Sequence, residues 1–144
     1  MNDSREQMIA ALREIVIPTL RKLGFSGSFP HFRRARENQI DVLSFQFNRY
    51  GGSFVVELAY CSPEGIATSW GEQISAKKVC AHHIHPQRRV RLGSNPPEKA
   101  DHWFYFESSG ENIYQETALE VLSIFQSKAE LFWQTHQPAM MRTN

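Results

Sequence analysis

The chain has 144 residues and a mass of 16.6 kDa, which fits one compact domain and is short for two domains of ordinary size. Hydrophobic residues make up 41% and aromatic residues 12%, a composition that argues against an intrinsically disordered chain. Sixteen Lys and Arg against fifteen Asp and Glu leave a formal net charge of +1, so the total charge does not indicate a dedicated polyanion-binding protein.

Neither a membrane span nor an export signal is predicted. No apolar run approaches the roughly eighteen residues of a membrane-spanning helix. The first six residues lack the basic start and apolar centre of a secretory signal. The two cysteines, Cys61 and Cys80, are too few for a disulfide-rich scaffold, so we expect two reduced thiols. We therefore expect a cytoplasmic protein with one domain over residues 1–144, a core at about 5–135 and a frayed tail at 138–144.

The first element is an amphipathic helix that begins near the N-terminus. Its apolar residues recur at helical spacing: Met8, Leu12, Ile15, Val16, Leu20 and Leu23. Pro18 removes one backbone hydrogen bond, which predicts a kink or break near Ile17. Gly24 is the expected C-terminal stop. One apolar face indicates that this helix covers another part of the fold.

Three strands are predicted next, at residues 29–36, 40–47 and 53–61. The second and third alternate between apolar and polar residues, which is the clearest structural signal in the chain. Gly51 and Gly52 between them suit a turn with positive φ. An antiparallel meander is the simplest topology for these strands.

The second half of the chain is less regular. Residues 62–78 read as a loop with one short element at most, and residues 79–92 as a strand interrupted by Pro86. Glycine and proline at 93–97 indicate a loop, and the aromatic run at 103–106 indicates a short strand. The periodicity that starts at Ile113 predicts a second helix, which continues or restarts near Ser127 and ends before Pro138. The predicted fold class is α+β, with an antiparallel sheet of four to six strands packed by an N-terminal and a C-terminal helix.

Short motifs spread over residues 5–135 give the chain a resemblance to a known family. They are LGF at 23–25, FPHFRR at 29–34, IDVLSFQ at 40–46, GSFVV at 52–56, His85 with RV at 89–90, and DHW at 101–103. Their order resembles that of the bacterial domain-of-unknown-function family DUF4304. The resemblance implies a helix–sheet–helix architecture and a bacterial, intracellular origin, but no chemistry. Some small bacterial proteins of similar build are immunity proteins, which is an analogy at the level of the fold.

The histidines of residues 80–85 are the first candidates for chemistry. In an extended strand, Cys80 and His82 would share one face while His83 and His85 would share the other, so neither face offers three metal ligands. His31 or His102 could add a ligand from elsewhere in the sheet. No zinc-binding spacing is present, and we predict neither a metal nor a cofactor.

No catalytic signature is present either. A nucleophile elbow, a phosphate-binding glycine loop before a helix and a local partner for either cysteine are all missing from the sequence. The sequence therefore favours a non-enzymatic role and leaves an enzyme as the alternative.

Charge is placed unevenly along the chain. Residues 15–36 and 73–97 each contain five basic residues and no acidic one, whereas residues 98–130 contain seven acids and two lysines. If the two basic segments lie side by side in the sheet, they form one positive surface. The alternative is that the acidic helix neutralises this surface within the fold.

Three functions follow from these observations. The favoured one is non-enzymatic binding of an acidic protein partner, in an immunity-like or regulatory role, through Arg33, Arg34, Arg88, Arg89 and Arg91. The alternative is an enzyme or ligand-binding protein with a pocket of His31, Arg33, His85, Arg89 and Trp103. The third is nucleic-acid binding through the basic sheet face.

Overall fold

The computed structural model describes residues 3–93, 102–107 and 112–135, and the predicted tail at 138–144 and nearly all of the predicted loop at 93–97 lie outside them. The helices are α1 (Asp3–Ile15), α2 (Ile17–Lys22), α3 (Ile113–Ile124) and α4 (Glu130–Thr135), and a π-helical turn (Phe125–Ala129) joins the last two. The strands are β1 (Ser26–Ser28), β2 (His31–Ala35), β3 (Ile40–Phe47), β4 (Ser53–Cys61), β5 (Ile66–Ala67), β6 (Gln73–Ile74), β7 (Arg89–Arg91) and β8 (Phe104–Tyr105).

The N-terminal helical region breaks where proline predicts it. Helix α1 ends at Ile15 and α2 begins at Ile17, with Pro18 in the first turn of α2, where its missing N–H costs nothing. After α2, the N–H of Phe25 donates to the carbonyl of Leu20 at 3.0 Å. Phe25 is thereby returned to the core, at 2% exposure.

The main sheet is antiparallel and has six strands, which confirms the predicted α+β class. Strands β1, β2, β3, β4 and β7 lie in that order. Strand β8 pairs with β4 at Ser53 and Phe54, at the start of β4, whereas β7 pairs nearer its end. Strands β3 and β4 match the predicted ranges and pair from Ile40–Cys61 to Phe47–Phe54. Between them Gly51 and Gly52 have φ of 95° and 81°, the left-handed region that the turn was predicted to need.

The inner face of the sheet, which is the face toward the helices, carries the larger core. Phe32, Leu43, Phe45, Val56 and Leu58 lie on it and are all nearly inaccessible to solvent. The helices contribute the opposing side chains: Met8, Leu12, Val16, Val121, Phe125 and Trp133. Burial of this apolar surface is the main force that holds helices and sheet together.

The outer face of the sheet is covered as well, by the long excursion of residues 62–88. Ile40 and Val42 of β3 and Ala59 and Cys61 of β4 form a second cluster there. The excursion covers them with four buried side chains: Ile74, Val79, Ala81 and Ile84. The two central strands are therefore buried on both faces, and the domain has three layers.

The prediction of a strand over residues 79–92 is wrong except at its end. Only Arg89–Arg91 pairs with the sheet, as β7, while residues 81–83 and 86–88 form 3₁₀ turns. Pro86 lacks the N–H that a strand would use. The ring of His83 also diverts the chain, because its Nδ1 accepts the backbone N–H of Cys80 at 2.9 Å. The local hydrogen bond closes a turn where the alternation suggested extension.

The predicted aromatic strand at 103–106 shortens to β8. Phe104 and Phe106 are buried in the inner core, and Phe104 stacks on Phe54 with ring centroids 5.4 Å apart. Trp103 is half-buried and Tyr105 is 65% exposed. Among the residues that the structure describes, no helix combines the length and the hydropathy that a membrane crossing requires.

Candidate functional site

The strands that carry the two basic segments are not neighbours in the sheet. Strands β3 and β4 separate β2, which carries Arg33 and Arg34, from β7, which carries Arg89 and Arg91. The second segment nevertheless reaches β2 before it turns toward β7. The Nε of Arg33 donates to the carbonyl of Val79 at 3.0 Å. Part of the excursion is therefore tied to β2 through this one guanidinium.

Arg33 and Arg34 point to opposite faces, because neighbouring residues of a strand alternate. Arg34 lies on the inner face, where its guanidinium donates to both oxygens of Glu130 at 2.9 and 2.8 Å. It also pairs with the fully buried carboxylate of Asp41 at 2.7 Å. The guanidinium sits over the rings of Phe25 and Trp133, 4.7 and 5.3 Å from their centroids. Arg34 therefore joins the C-terminal helical region to the sheet.

The hydrogen bonds from Arg34 lower the pKa of Glu130, against a smaller opposing effect of burial. Glu130 belongs to the acidic segment of residues 98–130, the alternative source of neutralising charge within the fold. It takes that role for Arg34, but not for the arginines of the outer face.

Arg89 and Arg91 share one carboxylate on the outer face. Glu57 of β4 is only 7% exposed, and one of its oxygens lies 3.5 Å from a guanidinium nitrogen of each arginine. One negative charge thus faces two positive charges at the centre of the sheet. Arg88, which precedes Arg89 in the chain, lies at the end of a 3₁₀ turn and is exposed.

The outer groove is a cavity of about 750 Å³ between the β5–β6 hairpin and residues 82–89. It is lined by three histidines and two arginines: His82, His83, His85, Arg88 and Arg89. Trp70, with 73% of its surface exposed, stands at the hairpin end. Among the described residues that line the outer groove, none is acidic. The groove has the charge and the aromatic anchor that suit an anionic partner.

The alternative pocket is only partly assembled. His85 and Arg89 line the outer groove, but His31, Arg33 and Trp103 are not among its lining residues. Arg33 lines a second groove of about 620 Å³ with Lys77.

One histidine of the predicted pocket lies in another cluster. The ring of His31 is 5.9 Å from the ring of His82, centroid to centroid. Cys80 completes a group in which the ligand atoms of His31, Cys80 and His82 all lie within 4.8 Å of one another. Burial is the main cause that lowers the pKa of His31, and the positive potentials of His82 and Arg33 act in the same direction.

The two thiols lie in different surroundings. Cys61 is 3% exposed beneath the excursion, and burial raises the pKa of its thiol to about 11. Such a thiol stays protonated and unreactive near neutral pH. Cys80 is 9% exposed and lies beside the histidines.

Sequence reasoning missed two features of these sites. The exposed position of Trp70 at the groove could not be predicted, because the residues around it follow no helical or strand period. The different roles of Arg33 and Arg34 did have a signal. Apolar Phe32 belongs on the inner face, and strand alternation then places Arg34 with it and Arg33 opposite.

Comparison with known proteins places the chain in a family. A family model described as a domain of unknown function, DUF4304, matches residues 15–134. No curated protein and no solved structure matches the chain.

Proposed function

Because the chain belongs to the DUF4304 family, which is defined without an assigned activity, we propose its function from the geometry: the protein binds an acidic segment of a partner protein in the outer groove. The observation that carries this proposal is the charge of the lining. Arg88 is exposed on one wall beside Arg89, which shares Glu57 with Arg91, and no carboxylate is among the described lining residues. Charge-assisted hydrogen bonds from arginine to carboxylate are strong and directional.

The rim of the groove favours a protein over a nucleic acid. Glu64 and Glu72 are exposed on the excursion beside the groove, and Glu72 accepts a hydrogen bond from the indole of Trp70 at 3.2 Å. A nucleic-acid strand carries a phosphate at each nucleotide and would meet these carboxylates. A protein segment can place carboxylates against the arginines and hydrogen-bond donors against the glutamates.

An exposed tryptophan at the rim supports the same conclusion. Tryptophan and arginine are the residue types that most often dominate binding energy at protein interfaces. Trp70 and Arg88 both line the groove, and both are open to solvent. Occupation of the groove would bury them together. An immunity or regulatory protein acts in this way, by covering part of its partner.

Cytoplasmic localisation is part of the proposal. It is supported by Cys61 and Cys80, both of which are free thiols. Such thiols persist in a reducing compartment.

The first experiment measures binding of a fluorescein-labelled oligo-glutamate peptide by fluorescence anisotropy at low and physiological salt. We expect the peptide to bind, and Arg88→Glu to weaken it by about tenfold because reversal of one charge turns attraction into repulsion. Arg49→Glu is the matched control. It makes the same charge change in the exposed β3–β4 turn, at the opposite end of β4 from the groove. This variant should retain the affinity of the wild-type protein.

Three outcomes would overturn the proposal. The peptide could fail to bind, or Arg88→Glu and Arg49→Glu could weaken it equally. The third outcome is tighter binding of a single-stranded oligodeoxynucleotide of equal charge, with a steep fall in affinity as salt rises, which would identify nucleic acid as the ligand.

A further inference from the structure

We propose that His31, Cys80 and His82 form a binding site for a zinc-like divalent cation. The three residues come from strand β2 and from the turn that begins after Val79, and they meet on the outer face of the sheet. One ligand atom from each lies within 4.8 Å of the other two. The inference stands on this geometry and is independent of the proposed acidic partner.

The donor set selects the type of cation. Two imidazoles and one thiolate are ligands that zinc and other borderline or soft metals prefer, whereas magnesium and calcium require oxygen. In a tetrahedral zinc site, ligand atoms at the usual bond lengths are about 3.4–3.6 Å apart. Separations of up to 4.8 Å must therefore shorten by up to about 1 Å or slightly more for the cluster to hold zinc at those bond lengths. His82 can supply that movement, because its side chain is exposed and lies in a short turn.

His31 is already oriented for this role. Its Nδ1 lies 2.9 Å from the hydroxyl of Ser44 on the neighbouring strand, which leaves Nε2 as the ligand atom. The hydroxyl of Ser44 also accepts the backbone N–H of Ala81 at 3.4 Å, so that it links the ring to the turn carrying His82. A hydrogen bond to the second ring nitrogen is the usual way in which proteins fix a metal-binding histidine.

Cys80 is held by its neighbours as well. Its backbone N–H donates to Nδ1 of His83, and its sulfur lies 3.8 Å from a guanidinium nitrogen of Arg33. The positive charge of Arg33 opposes a nearby cation. Binding of the metal expels the thiol proton to solvent, one proton for each cation bound.

Three protein ligands leave one position of a tetrahedral site open. Structural zinc sites in proteins use four protein ligands, whereas sites that bind or activate a small molecule use three and leave the fourth to water. Because His82 also lines the outer groove, the cluster adjoins the groove. The fourth position is therefore assigned to water or to a donor group of a bound molecule.

The test is a titration of the full-length, tag-free protein with Co²⁺, followed by displacement with Zn²⁺. Cobalt replaces zinc with little change in geometry and is visible spectroscopically. We expect saturation at one Co²⁺ per chain, with the visible bands of a four-coordinate ion and a thiolate-to-cobalt charge-transfer band in the near ultraviolet. Zn²⁺ should abolish these bands and raise the melting temperature, because it binds only the folded state.

Variants identify the ligands. Cys80→Ser should remove the charge-transfer band, and His82→Ala should weaken Co²⁺ binding at least about tenfold, by analogy with losses seen on disturbing metal sites. Ser44→Ala should weaken binding less, because it only releases the ring of His31. The matched controls are His85→Ala, an exposed histidine three residues beyond His82, and Cys61→Ala, the other thiol. Both controls should bind Co²⁺ as the wild-type protein does.

The proposal is overturned if the wild-type protein shows no saturable binding or if the charge-transfer band persists in Cys80→Ser. Equal weakening by His82→Ala and His85→Ala would also overturn it, since that result indicates adventitious binding by surface histidines. His82 is exposed, so loss of fold does not confound its variant. Far-ultraviolet circular dichroism of Cys80→Ser decides whether its loss of binding is specific.

Discussion

A single buried carboxylate organises one end of the inner core. Asp41 has no exposed surface and receives hydrogen bonds or ion pairs from Arg34, Arg36 and Gln39. A buried charge is tolerated only where such partners replace water. Gln39 also donates to the backbone carbonyl of Trp133 at 3.2 Å. Arg34 and Gln39, which are partners of Asp41, thus also hold the last described helix through Glu130 and Trp133.

Glu130 should stabilise the fold in a manner that depends on pH. Its folded-state pKa lies below the ordinary value of 4.5 because Arg34 donates to its carboxylate. The stabilisation is therefore complete above the unfolded-state pKa and is lost as the pH falls through the folded-state pKa. At pH 7 we expect Glu130→Gln to lower the free energy of unfolding by about 1 kcal/mol, since the pair is partly exposed. The difference between variant and wild-type protein should shrink below about pH 4.

Urea unfolding at several pH values measures this effect. The control is Glu37→Gln, which changes an exposed glutamate in the turn between β2 and β3. It should leave the free energy of unfolding unchanged at each pH. A difference for Glu130→Gln that stays constant from pH 7 to pH 3 would contradict the assignment of the stabilisation to the carboxylate charge.

The π-helical turn places the last helix correctly on the sheet. A π turn contains one residue more than an α-helical turn, so it changes the phase of the residues that follow. Beyond it, Glu130 reaches Arg34, and the indole of Trp133 donates to the carbonyl of Ala59 at 2.9 Å while fully buried. The helical periodicity predicted a continuation or restart near Ser127, but not this extra residue, because the pattern of apolar residues does not distinguish the two.

Deletion of Ser127 tests the function of this turn. The deletion would allow a continuous α-helix and would rotate every later residue by about 100°. Trp133 would then leave the core, and we expect a loss of about 3–5 kcal/mol in the free energy of unfolding, as for removal of a large buried aromatic side chain. Ser127→Ala is the control. It removes an exposed hydroxyl that donates to the carbonyl of Ile124 at 3.2 Å, and it should change stability by less than about 0.5 kcal/mol. A deletion as mild as the control would show that the π turn is dispensable.

The three layers should differ in local stability. Strands β3 and β4 are buried on both faces, whereas the β5–β6 hairpin has only two paired positions and one buried side chain, Ile74. Amide hydrogens of Val42, Leu43 and Val56 should therefore exchange only through global unfolding. Those of the hairpin should exchange through local opening, at a free energy lower by about 3 kcal/mol or more. Hydrogen exchange followed by mass spectrometry measures both, and equal protection of hairpin and sheet would contradict this division.

The central strands of the sheet could be predicted from the sequence, whereas the excursion that covers its outer face could not. Alternation over β3 and β4 and the glycines of their turn determine strand ranges and pairing, because one period repeats over many residues. Residues 62–88 cover the sheet with single side chains that follow no period. The meeting of His31 with Cys80 depends on the path of that excursion across the sheet. Contacts between segments so distant in the chain leave no local pattern.

The helices on the inner face and the excursion on the outer face are packed differently, and this difference has a consequence for evolution. On the helix side, a change to one core residue must be accommodated by many interlocked neighbours. On the other side, four small or medium side chains hold the excursion, and of these four only Ile84 is among the described residues that line the outer groove. The excursion can therefore exchange its polar residues while the scaffold beneath it stays the same. We expect relatives that share the helix-side core to differ most in these polar residues.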